Sequence, residues 1–248
     1  MSESVLVVED RDDRVVATLN RPAVRNAIDR ATAAALHDLC ARLEQEPRTL
    51  LLSGAGEHFA AGADLTQLRE RGRDDALRGI NSSAFDRVRR LPMPTIALMD
   101  GYALGGGAEL AYACDFRLAT RRVRIGNPEP GLGILASAGG TWRLRELVPE
   151  GVAKEMLLAG RVLDGDGDAA LAVGLVNEIV EPDDLLAAGH RWADRVAGQV
   201  PLALRLTKAV FHSPREAHPF VDDLAQAVLF ETEEKDARMT AFLERRRP

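Results

Sequence analysis

The sequence predicts an α/β core followed by a helical C-terminal region. Three observations carry that prediction. Short apolar runs alternate with helix-period segments over the first half of the chain. Twice, at Thr49–Leu52 and Thr95–Met99, such a run feeds a glycine-rich loop and then a helical pattern. In the last 109 residues, from Gly140 onward, the patterns are helical only. The 248 residues, 46% of them hydrophobic, suffice for one large core domain. That domain is expected over residues 1–190, with a helical region over 191–248.

Val5–Val8 and Val15–Leu19 read as two strands around the turn Asp10-Arg11-Asp12-Asp13. Ala27–Leu43 reads as a helix, rich in Ala and Leu, with Pro47 beyond its end. Thr49–Leu52 is a short buried strand, followed by a glycine-rich loop from Ser53 to Leu65. Thr66–Arg90 is polar, arginine-rich and mostly helical in pattern. Thr95–Met99 is a second buried strand, and after the next glycine run Leu110–Ala113 is helix-compatible. Phe116–Ala119 and Val123–Ile125 are further strands. Helices are expected over Gly140–Leu147, Val152–Ala159, Asp166–Ala172, Asp183–Val200 and Pro201–Val210, with one long last helix over Phe220–Arg246. Its apolar residues, from Phe220 and Leu224 to Met239 and Leu243, form a broad stripe suited to burial between subunits.

Several function classes are disfavoured. A net charge of −6 does not favour nucleic acid, and Asp74, Asp75 and Asp86 interrupt the arginines at 69, 71, 73, 87, 89 and 90. Those arginines read as a solvated helical face. No basic, apolar leader opens the chain, and no run approaches the ~18 apolar residues of a membrane span. Two cysteines far apart, Cys40 and Cys114, fit a reducing compartment without a disulfide. A cytoplasmic protein is therefore expected. The five histidines form no metal-ligating pair, so no metal is expected. The acidic run Asp164-Gly165-Asp166-Gly167-Asp168 lacks the closing glutamate of a calcium loop and reads as a solvated turn. Leu135 stands where a nucleophile elbow around Ser137 needs glycine.

The positive signal lies in the glycine loops. Gly101-Tyr102-Ala103-Leu104-Gly105-Gly106-Gly107-Ala108-Glu109-Leu110 joins a buried strand to a helix start. Such a junction offers free N–H groups and the positive end of a helix dipole to an oxyanion. It has neither the spacing of a dinucleotide fingerprint nor the Lys-Ser/Thr of a phosphate loop. Taken alone, the run also fits a tight turn with Glu109 capping the helix. The second loop, around Ala61-Gly62-Ala63, supplies a second set of small residues, and two N–H donors from two loops make an oxyanion hole. Glu129, in the stiff Pro128-Glu129-Pro130 segment, adds a second carboxylate. Together these make a site for acid/base chemistry on a polarised carbonyl.

At this point the chain resembles the enoyl-CoA hydratase/isomerase, or crotonase, superfamily. The matching motifs run in order through nearly the whole chain. They are Leu19-Asn20-Arg21-Pro22 with Asn26-Ala27, then Phe59-Ala60-Ala61-Gly62-Ala63-Asp64-Leu65, then the central glycine run with Cys114-Asp115. Pro128-Glu129, Gly139-Gly140-Thr141 with Arg143, Gly174-Leu175-Val176-Asn177 and Met239–Arg246 follow. The resemblance implies a spiral of β-β-α units with a C-terminal helical trimerisation region, assembled as a homotrimer or homohexamer. It implies an acyl-CoA thioester substrate, with coenzyme A as part of the substrate and no separate cofactor. It implies that the N–H groups of Ala63 and Gly106 hold the thioester oxygen, and that Glu109 and Glu129 are the catalytic carboxylates. In that role Glu109 helps activate water and Glu129 supplies the α-carbon proton, hydrating a 2-trans-enoyl-CoA to a 3-hydroxyacyl-CoA. Contacts to CoA are expected from Arg25, Ala61, Asp64 and Leu65, and from Phe242 and Arg245 across a subunit boundary. Departures from the family pattern stand at Ala23, Thr66, Ala136, Ser137 and Trp142, the last three near the loop of Glu129. Other reactions through the same enolate (isomerisation, lyase or hydrolase chemistry) stay open, as does a non-catalytic acyl-CoA-binding or RNA-binding relative.

Overall fold

The computed structural model describes residues 4–164 and 168–245. Residues 165–167 of the acidic run, the expected helix start at Asp166, and Arg246 lie outside the described residues. The chain divides into two compact units, 1–194 and 195–248.

The first unit is built on a six-stranded sheet. Strands β1 (Leu6–Asp10) and β2 (Arg14–Leu19) form the expected antiparallel hairpin. Then β3 (Thr49–Gly54), β4 (Thr95–Met99), β6 (Phe116–Thr120) and β9 (Glu178–Val180) continue it in parallel, in the order β1-β2-β3-β4-β6-β9. A second, three-stranded sheet holds β5 (Tyr102–Leu104), β7 (Arg124–Gly126) and β8 (Leu163–Asp164). Two successive turns of the chain send one strand to the large sheet and the next to the small one: β4 then β5, β6 then β7. This is a spiral of β-β-α units.

The runs Leu50-Leu51-Leu52 and Ile96-Ala97-Leu98-Met99 are apolar throughout because both faces of the large sheet are covered. Leu50, Leu52, Ala97 and Met99 enter the main core. Leu51, Ile96 and Leu98 point the other way, to Ala188 and Ala193 of helix α9 (Leu185–Ala197). There Gly189 allows close approach: a Cβ on it would lie 2.9 Å from the Leu98 methyls.

Helix α1 (Arg30–Gln45) begins three residues later than expected, because Asp29 accepts the Thr32 N–H at 2.7 Å as its N-cap. The polar stretch 66–90 is three helices: α2 (Leu65–Glu70), α3 (Arg73–Arg78) and α4 (Ile80–Arg89). Gly79, at φ +61°, separates the last two. Helix α5 (Gly106–Ala113) is buried along its whole length, as its apolar composition requires.

The later part of the chain is less uniformly helical than its pattern. Gly140–Leu147 yields only the short α6 (Leu144–Leu147), followed by α7 (Glu150–Leu158) and α8 (Ala169–Ala172). Strands β8 and β9 have no counterpart in the sequence pattern; each is two or three residues long and exists because a neighbouring strand edge receives it. Buried Arg117 anchors the turn into β9. It donates to the carbonyls of Leu175 (2.6 Å) and Cys114 (2.7 Å), and its own burial lowers its pKa to about 10. Both cysteines are buried, and desolvation pushes the Cys40 thiol up to about 12, so it packs as an apolar group.

The second unit contains α10 (Pro201–Phe211), α11 (Phe220–Phe230) and α12 (Glu233–Arg245). The single last helix expected from the pattern is broken at Glu231–Thr232. Thr232 Oγ1 accepts the Lys235 N–H and so caps a new helix. Phe211, Phe220, Leu224, Val228, Phe230, Met239, Phe242 and Leu243 are all more than half exposed. Among the described residues, no helix is long and apolar enough to cross a membrane.

Candidate functional site

The two glycine loops are stitched together by backbone hydrogen bonds. Ala60 N–H donates to Tyr102 O at 2.9 Å and Leu104 N–H to Ala60 O at 3.0 Å, which lays the first loop along β5. On its other side, Ala61 N–H donates to Arg25 O, Ile28 N–H to Gly62 O and Asp64 N–H to Ile28 O. This pairing leaves the Ala63 N–H without an acceptor among the described residues. The chain leaves β5 through Gly105, at φ +52°, and enters α5 at Gly106. As the first helical residue, Gly106 also keeps an N–H with no intrahelical acceptor. The two groups are neighbours, since a Cβ on Gly106 would sit 3.5 Å from Ala63 N. Gly107 permits the approach: a Cβ there would fall 2.1 Å from Ala60 O.

Glu109 lies in the first turn of α5 and Glu129 in a short 3₁₀ turn, Glu129–Leu132, beyond β7. Gly105 N–H donates to Gly126 O at 2.9 Å, which draws the end of β7 beside the glycine run. As a result a Cβ on Gly105 would meet Glu129 Oε1 at 3.2 Å. Glu109 Oε1 accepts the N–H groups of Ala138 (2.7 Å) and Gly140 (3.0 Å). Glu129 Oε1 receives the Asn127 amide at 3.4 Å, and Tyr112, one turn after Glu109, donates its hydroxyl to Asn127 Oδ1 at 2.9 Å. Glu129 Oε2 is buried and has no hydrogen-bonding partner among the described residues.

Ala63, Gly106, Glu109 and Glu129 therefore line one cavity of about 670 Å³, together with Ala61 and Leu65. Its remaining wall is largely apolar, with Leu68, Ile80, Leu104, Leu132, Ile134 and Leu135. Other expected residues fall elsewhere. The Asp64 carboxylate accepts the Gln67 N–H as the cap of α2 and pairs with Arg21 at 3.2 Å. Arg25 is exposed with its guanidinium 5.5 Å from the centre of the Tyr102 ring. Phe242 and Arg245 lie on α12 of the second unit. Of the departures, Ser137 is in the cavity wall, whereas Trp142 stacks under Arg89 at 5.2 Å.

Tyr112, Asn127, Asn81 and Arg71 belong to the site but are not legible as site residues in the sequence. The spacing of Tyr112 from Glu109 and of Asn127 from Glu129 is visible there, but their connection crosses 15 residues. Arg71 reads from the sequence as part of a solvated face. It lines the cavity instead, because α2 ends at Glu70 and the chain bends there.

Both glutamates are harder to ionise than in water. Burial pushes the Glu109 carboxyl up to about 7; the Glu129 charge adds to this, and the Gly140 and Ala138 N–H groups oppose it. Burial also raises Glu129, against the Asn127 amide. The folded protein thus binds a proton at Glu109 that the unfolded chain releases near the ordinary value of 4.5. Stability contributed at low pH is lost as pH rises from 4.5 through about 7, up to about 3 kcal/mol in all. Glu109→Gln keeps an oxygen for the two N–H donors but cannot ionise. Its melting temperature is expected to gain on wild type between pH 5 and pH 8. An equal difference at both pH values, by calorimetry, would contradict a raised Glu109 pKa.

A sequence profile described as enoyl-CoA hydratase/isomerase matches residues 12–248. The chain is 35% identical to a short-chain-enoyl-CoA hydratase of Clostridium acetobutylicum, over 98% of this chain and 95% of that protein. It is 33% identical to a crotonyl-CoA hydratase of Syntrophomonas wolfei, over 100% of this chain and 98% of the relative. The crystal structure of an enoyl-CoA hydratase from Bacillus anthracis superposes with a TM-score of 0.90 at 31% identity, covering 98% of each chain. With the β-β-α spiral and two glutamates gathered at the paired glycine loops, these matches show that the chain belongs to the enoyl-CoA hydratase/isomerase superfamily.

Proposed function

We propose that this protein is an enoyl-CoA hydratase, adding water across the double bond of a 2-trans-enoyl-CoA to give a 3-hydroxyacyl-CoA. The observation that carries this reading is the pair of buried carboxyl groups, Glu109 and Glu129, in one cavity with the backbone of Ala63 and Gly106, whose N–H groups have no acceptor among the described residues. The thioester oxygen accepts hydrogen bonds from Ala63 and Gly106 N–H. As water adds to the β-carbon, charge builds on that oxygen, and each donor lowers the barrier by about 3–4 kcal/mol. Glu109 takes a proton from the attacking water, and its hydroxyl bonds to the β-carbon. The enolate collapses as Glu129 passes its proton to the α-carbon. The pair ends with the same number of protons it began with, one moved from Glu129 to Glu109, and exchange with solvent water returns it to Glu129 before the next turnover. Burial raises both carboxyls, so the pair as a unit retains a proton near neutral pH, and the reaction draws on the microstate in which Glu129 carries it. Shifting a double bond alone needs one acid/base group, so the presence of both favours hydration.

The reaction as written needs no cofactor beyond the CoA of the substrate. The same reading includes a homotrimer or homohexamer, supported by the exposed apolar side chains of the second unit. The test is direct. Purified protein should remove the conjugated-thioester absorbance of crotonyl-CoA and yield 3-hydroxybutyryl-CoA, and should sediment as a trimer or hexamer. An isomerised product without hydration, or a monomer at full activity, would overturn the corresponding half.

A further inference from the structure

Arg71 stands in the cavity wall at the bend between α2 and α3. Its Nη1 reaches Asn81 Oδ1 at 3.5 Å, the long limit of a hydrogen bond. Nε and Nη2 are buried and have no acceptor among the described residues. Those two nitrogens form one edge of the planar guanidinium, the edge that grips both oxygens of a carboxylate at once. A buried donor left unmatched is destabilising, the more so when it is charged. Asp75 and Asp64 favour the cation by charge, but neither carboxylate hydrogen-bonds it. Asp75, also in the wall, is held by Arg30 at 2.9 Å and by the Gly72 N–H at 3.2 Å, and Asp64 is held by Arg21 and Gln67. Desolvation, together with the charge of Arg30, accordingly lowers the Arg71 pKa.

The position is as informative as the charge. Asn81 Nδ2 lies 3.6 Å from where a Cβ on Gly106 would sit. A single side chain therefore spans the gap between the guanidinium and Gly106, whose N–H is assigned to the thioester oxygen. Leu68, Ile80, Leu132, Ile134 and Leu135 make much of the remaining wall apolar. An apolar wall with one unmatched cation, a short reach from the thioester, suits a short acyl chain with a negative end.

We propose that Arg71 is a specificity-determining residue that binds a carboxylate at the distal end of the acyl chain, so that the preferred substrates are short carboxyacyl-CoA thioesters. This rests on reading the cavity as an acyl-CoA site. The phosphates of CoA are the other source of an anion, and the experiment separates the two. Calorimetric titration with butyryl-CoA against succinyl-CoA, hexanoyl-CoA against adipyl-CoA, and free CoA needs no turnover. At least one carboxylated ligand is expected to bind wild type about tenfold tighter than its uncharged counterpart. Arg71→Met should abolish that preference, and Arg71→Lys, which keeps the charge but loses the fork, should retain part of it. Equal affinities in wild type overturn the proposal without need of any variant. So does an Arg71→Met protein that loses affinity equally for all ligands and free CoA, which would assign Arg71 to phosphate. A preference that survives while neither crotonyl-CoA nor a carboxylated 2-enoyl-CoA is hydrated leaves the carboxylate site standing and removes only the hydratase reading.

Discussion

Glu129→Gln and Glu109→Gln are each expected to lower kcat by at least about 10²-fold, with little change in affinity for a saturated acyl-CoA. The substitutions are nearly isosteric. Glu109→Gln keeps an oxygen for the Ala138 and Gly140 N–H groups, and Glu129→Gln keeps one for the Asn127 amide. What each loses is the proton exchange its raised pKa prepares. Glu129 should be the more sensitive, since its buried Oε2 has nothing else to bond among the described residues. The double variant should fall little further than the worse single one, because the two groups act on one transition state. Steady-state kinetics with crotonyl-CoA decide the matter. Wild-type turnover in either variant removes that glutamate from the mechanism.

Gly106→Pro is expected to fold and to lose about 10²–10³-fold in kcat/KM. Proline is tolerated at the first helical position, where the lost N–H has no intrahelical acceptor. Its Cβ would meet Ala63 N at 3.5 Å and Asn81 Nδ2 at 3.6 Å, ordinary contact distances. The preceding Gly105, at φ +52° and ψ −124°, is already outside the helical region that proline denies to its neighbour. The change therefore removes the Gly106 donor and sets carbon beside the Ala63 N–H, so it tests the oxyanion hole as a unit. Gly107→Ala makes a useful contrast, because a Cβ there collides with Ala60 O and should damage the fold itself. A Gly106→Pro protein with native circular dichroism and undiminished hydration of crotonyl-CoA would place the oxyanion donors elsewhere.

Local chemistry makes a large part of this legible in the chain. Leu50–Leu52 and Thr95–Met99 read as buried strands because both sheet faces demand apolar side chains, which leaves an uninterrupted run. The two glycine loops are visible because close backbone approach and a positive φ tolerate little else, as Gly105 and Gly107 illustrate. Glu109 and Glu129 are visible because each stands next to such a constraint, one in a helix's first turn and one between prolines.

What stays hidden depends on residues distant in sequence. Strands β8 and β9 carry too few residues for a period, and they pair only because β7 and β6 offer them an edge. The break before α12 turns on one hydroxyl of Thr232, which any helical pattern would accommodate. Tyr112 reads as one more apolar helix residue until Asn127 is folded against it. Arg71 is indistinguishable from its exposed neighbours Arg69 and Arg73 until the bend after α2 turns it to the cavity. The sequence by itself determined the backbone frame and the identity of the two acids, because glycine, proline and apolar runs act on their immediate neighbours. Only the tertiary structure decided that the acids are buried and raised in pKa, and that Arg71 lines the same cavity, because desolvation and hydrogen-bond satisfaction are properties of what surrounds a group in space.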